Sequence, residues 1–134
     1  MILLSNTLAQ TIPVGGSITF DRVILQTGCG ESHRHGTSSV RMRHNGVYEV
    51  HFAGNIASAT AGTPVQLSIE LSGEILLETT MIATASTANA FNNVATATLV
   101  KNQCGDYDRV SVKNTGTEPV TVGANTSFFV KRLG

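Results

Sequence analysis

From Gly46 to Ile56 the chain alternates without a break. Tyr48, Val50, Phe52, Gly54 and Ile56 fall on one parity, and Val47, Glu49, His51, Ala53 and Asn55 on the other. A period of two puts the two sets on opposite faces of a β-strand, the first set facing a core. The strand is entered through His44-Asn45-Gly46, and Asn-Gly readily supplies the positive φ angles of a tight turn. Val40 to Arg43 is therefore expected to be its antiparallel hairpin partner.

The rest of the chain reads as strand after strand. Met1 to Leu8 is a candidate N-terminal strand, and Pro13 to Ser17 a turn. Ile18 to Gln26 alternates Ile18 and Phe20 and then, after a slip suggesting a bulge at Asp21-Arg22, Val23 and Leu25. Thr27 to Thr37 has three glycines and no apolar period, the pattern of a loop. Val65 to Leu71 alternates strictly with one wet face, and Ser72-Gly73-Glu74 turns it into Ile75 to Ile82. Ala83 to Asn89 is rich in Ser, Thr and Asn and reads as a loop. Asn92 to Val100, Arg109 to Lys113, Val120 to Val122 and Thr126 to Leu133 complete about eight to ten short strands at hairpin spacing. The expected fold is a single all-β sandwich or barrel domain over residues 1–134.

Asn92 to Val100 differs from the other strands. Ala95, Ala97 and Leu99 lie on one face, and Val94, Thr96 and Val100 on the other, with no charge on either. Such a strand suits burial on both faces, which in a two-sheet sandwich requires another subunit over the outer one. Composition points the same way. Only 13% of the residues are charged and 41% are hydrophobic, so part of the surface is expected to be covered by neighbours. Nine basic and nine acidic residues give zero net charge, which speaks against nucleic acid and anionic lipid as partners. Met1 to Leu4 lacks a basic leader and is interrupted by Ser5-Asn6-Thr7, the pattern of neither a signal peptide nor a membrane span. The sequon at Asn125-Thr126-Ser127 reads as a polar turn edge.

Four motifs in order carry a resemblance. They are Ile18-Thr19-Phe20-Asp21-Arg22-Val23, then Gly46-Val47-Tyr48-Glu49-Val50, then Gly105-Asp106 ahead of Val110-Ser111-Val112, and last Ser127-Phe128-Phe129-Val130. Together the series resembles the C1q/TNF-like jelly-roll superfamily over roughly Ile18 to Leu133, in the manner of bacterial or phage C1q-like heads. The chain departs from the family pattern at Val50, where an aromatic is usual, and carries Phe52 two places on. The resemblance implies a jelly-roll β-sandwich of about ten antiparallel strands, a threefold homotrimer packed through one sheet, and a recognition head. There is no Gly-x-y repeat and no heptad run, so no stalk is expected within this chain. The setting expected is a virion or spore surface, reached from the cytoplasm without a signal peptide.

Several residues raise the question of chemistry. His33-Arg34-His35 places two imidazoles on one side of an extended segment, and it is similar to the H-x-H half of a cupin metal motif. The glutamate and later histidine that a cupin requires do not follow, because the last histidine is His51. Asp106 and Asp108 flank Tyr107 and offer carboxylate oxygens for calcium, with a solvated turn as the plainer reading. Cys29 and Cys104 read as free thiols in a chain with no export signal. No phosphate loop, G-x-S-x-G, H-E-x-x-H or Cys-x-x-Cys is present. No catalytic residue and no cofactor is expected.

Three functional readings follow. The first is a non-enzymatic trimeric head on a phage fibre, capsid or spore surface, binding a receptor, a glycan or a virion protein. Its candidate interface residues are Glu49, His51, Ala95, Ala97 and Leu99. The second is a soluble lectin-like module, and the third a small cupin-type metalloenzyme using His33 and His35.

Overall fold

The computed structural model describes residues 1–28, 30–102 and 108–134. Among them are twelve strands and no helix. They are β1 (Ile2–Ser5), β2 (Gln10–Ile12), β3 (Arg22–Gln26), β4 (Glu31–His33), β5 (Val40–Met42), β6 (Gly46–Ala57), β7 (Val65–Leu71), β8 (Glu74–Ala83), β9 (Asn92–Asn102), β10 (Arg109–Asn114), β11 (Val120–Val122) and β12 (Ser127–Arg132). They form two antiparallel sheets. The first runs β2-β11-β6-β12-β1-β3, with β9 paired along the length of β6 on its other side; the second runs β4-β5-β10-β7-β8. This is an all-β jelly-roll sandwich.

The alternating stretch lies at the centre of the first sheet. Tyr48, Val50, Phe52 and Ile56 are fully buried, as their parity predicts. They meet Val40, Met42, Leu67, Ile69, Val110 and Val112 in one core cluster with residues of the second sheet. Phe128 lies between two of the large rings, stacked on Phe20 at 5.2 Å and edge-on to Phe52 at 6.5 Å. Gly54 is needed for packing, because a Cβ there would come within 2.8 Å of the Thr126 methyl.

The expected hairpin between Val40–Arg43 and Gly46–Ile56 does not form. β5 pairs with β4 and β10 in the second sheet, and His44-Asn45 arches from one sheet to the other. The reason is competition for edges: β9 takes one side of β6 while β12 and β11 take the other. The arch is held by polar contacts. Asn102 Nδ2 donates to the Met42 and His44 carbonyls, the Tyr48 hydroxyl donates to His44 O, and Arg132 donates to Asn45 O. Gly46 is required by a close approach and not by a tight turn, since a Cβ there would lie 2.9 Å from Gly134 O. The two-residue hairpin turn is instead Ser72-Gly73, with φ of 47° and 93° between paired Leu71 and Glu74.

Three other expectations need correction. Only Arg22–Gln26 of Ile18–Gln26 is a strand; Val23 and Leu25 are 43% and 45% exposed, because β3 is an edge strand beyond the cover of the second sheet. The register shift lies opposite Leu3/Leu4, leaving Ile24 as the extra residue, and not at Asp21-Arg22. The segment read as a loop from Thr27 to Thr37 contains β4, and the residues before Pro13 contain β2. Three strands that were expected, at Val65–Leu71, Asn92–Val100 and Val120–Val122, are present.

Candidate assembly face

The side of the first sheet away from the core carries the residues that alternate with the buried set. Register brings them into rows across the strands: His51 lies opposite Ala97, Glu49 opposite Leu99, and Ala53 opposite Ala95. The five residues singled out from sequence therefore lie on one face. On the other side of β6, Phe129 is opposite His51, Leu3 opposite Phe129, and Leu25 opposite Leu3. One row thus crosses five strands as Leu25, Leu3, Phe129, His51 and Ala97.

This face is apolar and low in relief. Ala95, Ala97 and Leu99 are exposed, Leu99 to 61%, while Val94 on the opposite parity packs against the core. The alanines leave a shallow concavity of about 490 Å³ bordered by His51, Ala53, Ala97 and Ser127. The His51 ring stands edge-on to Phe129 at 5.5 Å, and its Nε2 contacts Glu49 Oε1 within the same chain. That contact is thus made within one strand, two residues apart. At the adjoining sandwich edge Leu77 of β8 is 78% exposed, and Thr98 of β9, on the parity of Val94 and Val100, reaches Glu78.

Sequence reasoning missed Leu3, Leu25 and Phe129 as members of this face. The signal for Phe129 was available, since Phe128 and Phe129 are adjacent in a strand and only one of them can point inwards.

The residues considered for metal binding do not converge. Nδ1 of His33 faces the Ser39 carbonyl and Nε2 faces the Phe20 carbonyl, both at 2.9 Å, so both ring nitrogens are engaged by backbone. His35 is exposed in the turn that follows β4. Asp108 accepts a hydrogen bond from Ser72 Oγ at 3.1 Å. Among the described residues no three His, Cys, Asp or Glu side chains are grouped to hold an ion. Asp106, the Gly105-Asp106 turn, and Cys29 and Cys104 lie outside the described residues. No described helix is long and apolar enough to cross a membrane.

No protein-family model and no curated protein matches the chain. Solved structures do. Eiger TNF from S. frugiperda superposes with a TM-score of 0.78 at 12% identity, covering 99% of this chain and 91% of that one. The globular domain of zebrafish complement 1qA gives 0.68 at 12% identity, covering 96% and 94%. The PRD1 vertex protein P5 gives 0.57 at 14% identity, covering 99% and 97%. The chain has the C1q/TNF-like jelly-roll fold.

Proposed function

We propose that the chain is a non-enzymatic, threefold homotrimeric head, serving a structural or recognition role on a virion appendage or a spore surface. The observation that carries this reading is the outer face of the first sheet. A continuous row of Leu25, Leu3, Phe129, His51 and Ala97, flanked by Ala95 and Leu99, is a largely apolar strip left at least partly open, the kind of surface that marks a protein interface. A second copy is the occupant that fits it. The exposed β8/β9 edge with Leu77 and Leu99 offers apolar side chains to the alanine-lined concavity of a neighbour, a head-to-tail contact that closes into a ring. Likeness in fold to TNF and C1q heads supports three as the number, and likeness to a vertex protein supports the virion setting.

The test is a charge in the middle of the face. Ala97 is exposed in the single chain, so Ala97→Glu leaves the fold intact while placing repeated carboxylates within the seam, at a cost of several kcal/mol each when unpaired and buried. Light scattering of the wild type is expected to give about three times the 14.1 kDa chain mass. The variant is expected to give folded monomers. A wild type that stays monomeric at high concentration refutes the trimer and removes the main support for a head.

A further inference from the structure

The outer face of the second sheet carries a feature of opposite character. Ser32, Arg41 and Arg109 stand side by side on β4, β5 and β10, since Arg41 is in register with both Ser32 and Arg109. With Arg34, Thr37 and Ser39 they line a concavity of about 370 Å³. That size is within the range of small-ligand sites. Three of the nine cationic residues of an otherwise neutral chain meet here, and none of the six lining residues is acidic.

Arg41 and Arg109 are direct cross-strand neighbours, and the forked donors free to meet a ligand are those on either side of Arg41. The side chains of Arg34 and Arg109, and the hydroxyls of Ser32 and Ser39, have no partner among the described residues. The nearest acidic neighbour in sequence, Asp108, takes a hydrogen bond from Ser72.

The floor of the concavity is held in place before any ligand arrives. The Arg34–Thr37 turn closes with the Thr37 amide and hydroxyl both donating to Arg34 O, at 3.0 and 2.6 Å, around Gly36 at φ 79°. The turn is tied to the core by Gly36 N to Phe20 O and Phe20 N to Thr37 O, each 3.0 Å. Beneath it, His33 spans the Ser39 and Phe20 carbonyls. Donors on a fixed backbone lose little freedom on binding.

We infer that this concavity binds a tetrahedral oxyanion, a sulfate or phosphate ester carried on a sugar, with Arg34 and Arg109 as the forked donors and Ser32 and Ser39 orienting the ester. Guanidinium groups match such oxyanions in a bidentate manner, and hydroxyls beside them suit the polar ring that carries the ester. The site is complete within one chain and lies on the sheet opposite the assembly face, so it stands or falls separately from trimer formation.

The experiment is calorimetric titration of the full chain with three probes: a trisulfated heparin disaccharide, its desulfated counterpart, and glucose 6-phosphate. Light scattering is run on the same samples. Saturable binding is expected for at least one charged probe and not for the desulfated sugar, weakening as salt is raised. The probe that binds distinguishes sulfate from phosphate. Arg34→Glu and Arg109→Glu are each expected to lose at least about tenfold in affinity, the scale of one charge-assisted contact. Lys101→Glu, the same charge change on the first sheet, is expected to bind as the wild type does. Equal binding by wild type and both arginine variants overturns the inference, as does equal binding of the desulfated sugar. Binding of neither charged probe overturns it as well.

Discussion

Asn6 offers the sharpest test of how the fold is held together. It is 2% exposed and all four of its hydrogen-bonding positions are filled. Nδ2 donates to Leu8 O at 2.9 Å and to Gly123 O at 3.1 Å, and Oδ1 accepts from the Thr126 amide at 3.0 Å and the Thr126 hydroxyl at 2.5 Å. One side chain thus joins the end of β1 to the connection between β11 and β12. Asn6→Asp keeps the shape and the two accepting contacts but turns an oxygen towards two carbonyls. A carbonyl left without its donor costs about 1 to 3 kcal/mol, towards the lower end for these two part-buried groups, so about 2 to 3 kcal/mol is expected at pH 7. That is a large part of the 5 to 15 kcal/mol typical of a domain.

The pH dependence has an expected sign. Burial and the two facing carbonyl oxygens raise the introduced carboxyl above its unfolded value of about 3.9, against the two Thr126 donors, which act to lower it. The charged-form penalty is therefore absent below that value and accumulates as pH rises to the folded one. Urea unfolding of wild type and variant at one protein concentration, at pH 4 and pH 7, reads both effects. A loss below about 1 kcal/mol at pH 7, or no difference between the two pH values, would refute this account of Asn6.

Two further outcomes are expected. Phe52→Ala should cost about 3 to 5 kcal/mol in the same assay, because the ring is 1% exposed and packs edge-on to Phe128; a neutral change would mean that the core face of β6 is misassigned. The Asp21 carboxyl lies below the usual carboxylate range, chiefly because the Thr7 hydroxyl and then the Thr7 amide donate to it. Its contribution is present above the unfolded value and lost as pH falls through the lower folded one. NMR titration should show Asp21 moving upward in Thr7→Val, where the hydroxyl bond is gone.

What could be read in advance divides along a physical line. The buried parity of β6 and the alternation in β7 are local patterns that burial in a layered fold imposes directly, and they were legible. Strand partners were not. Asn45-Gly46 is a sound local turn signal, yet both edges of β6 are taken by strands from elsewhere in the chain, and that competition leaves no mark near residue 45. Val23 and Leu25 continued the alternation of Ile18 and Phe20, while the place of β3 at the rim of the first sheet exposes them. Asn6, Asn102 and Asn114 resemble ordinary loop residues, and only the carbonyls that tertiary structure brings to them explain their burial. Of the candidate face, the alanines and Leu99 were visible because charge is missing there. The arginine concavity depends on the register of β4, β5 and β10, which follows from the sheet order and not from spacing along the chain.

The antiparallel pairing of β1 with β12 also gives the molecule a direction. Ile2 is opposite Val130, so the chain enters and leaves at the same pole of the sandwich, beside the His44-Asn45 arch. Any tether joined at either end must depart from that pole. The opposite pole, built from residues 6–9, 58–64, 84–91 and 123–126, is left unencumbered, and two bulky apolar side chains, Leu8 and Phe91, stand out from it at 76% and 52% exposure. A host protein could therefore carry this domain as an insertion in one of its own loops and still present the far tip outward.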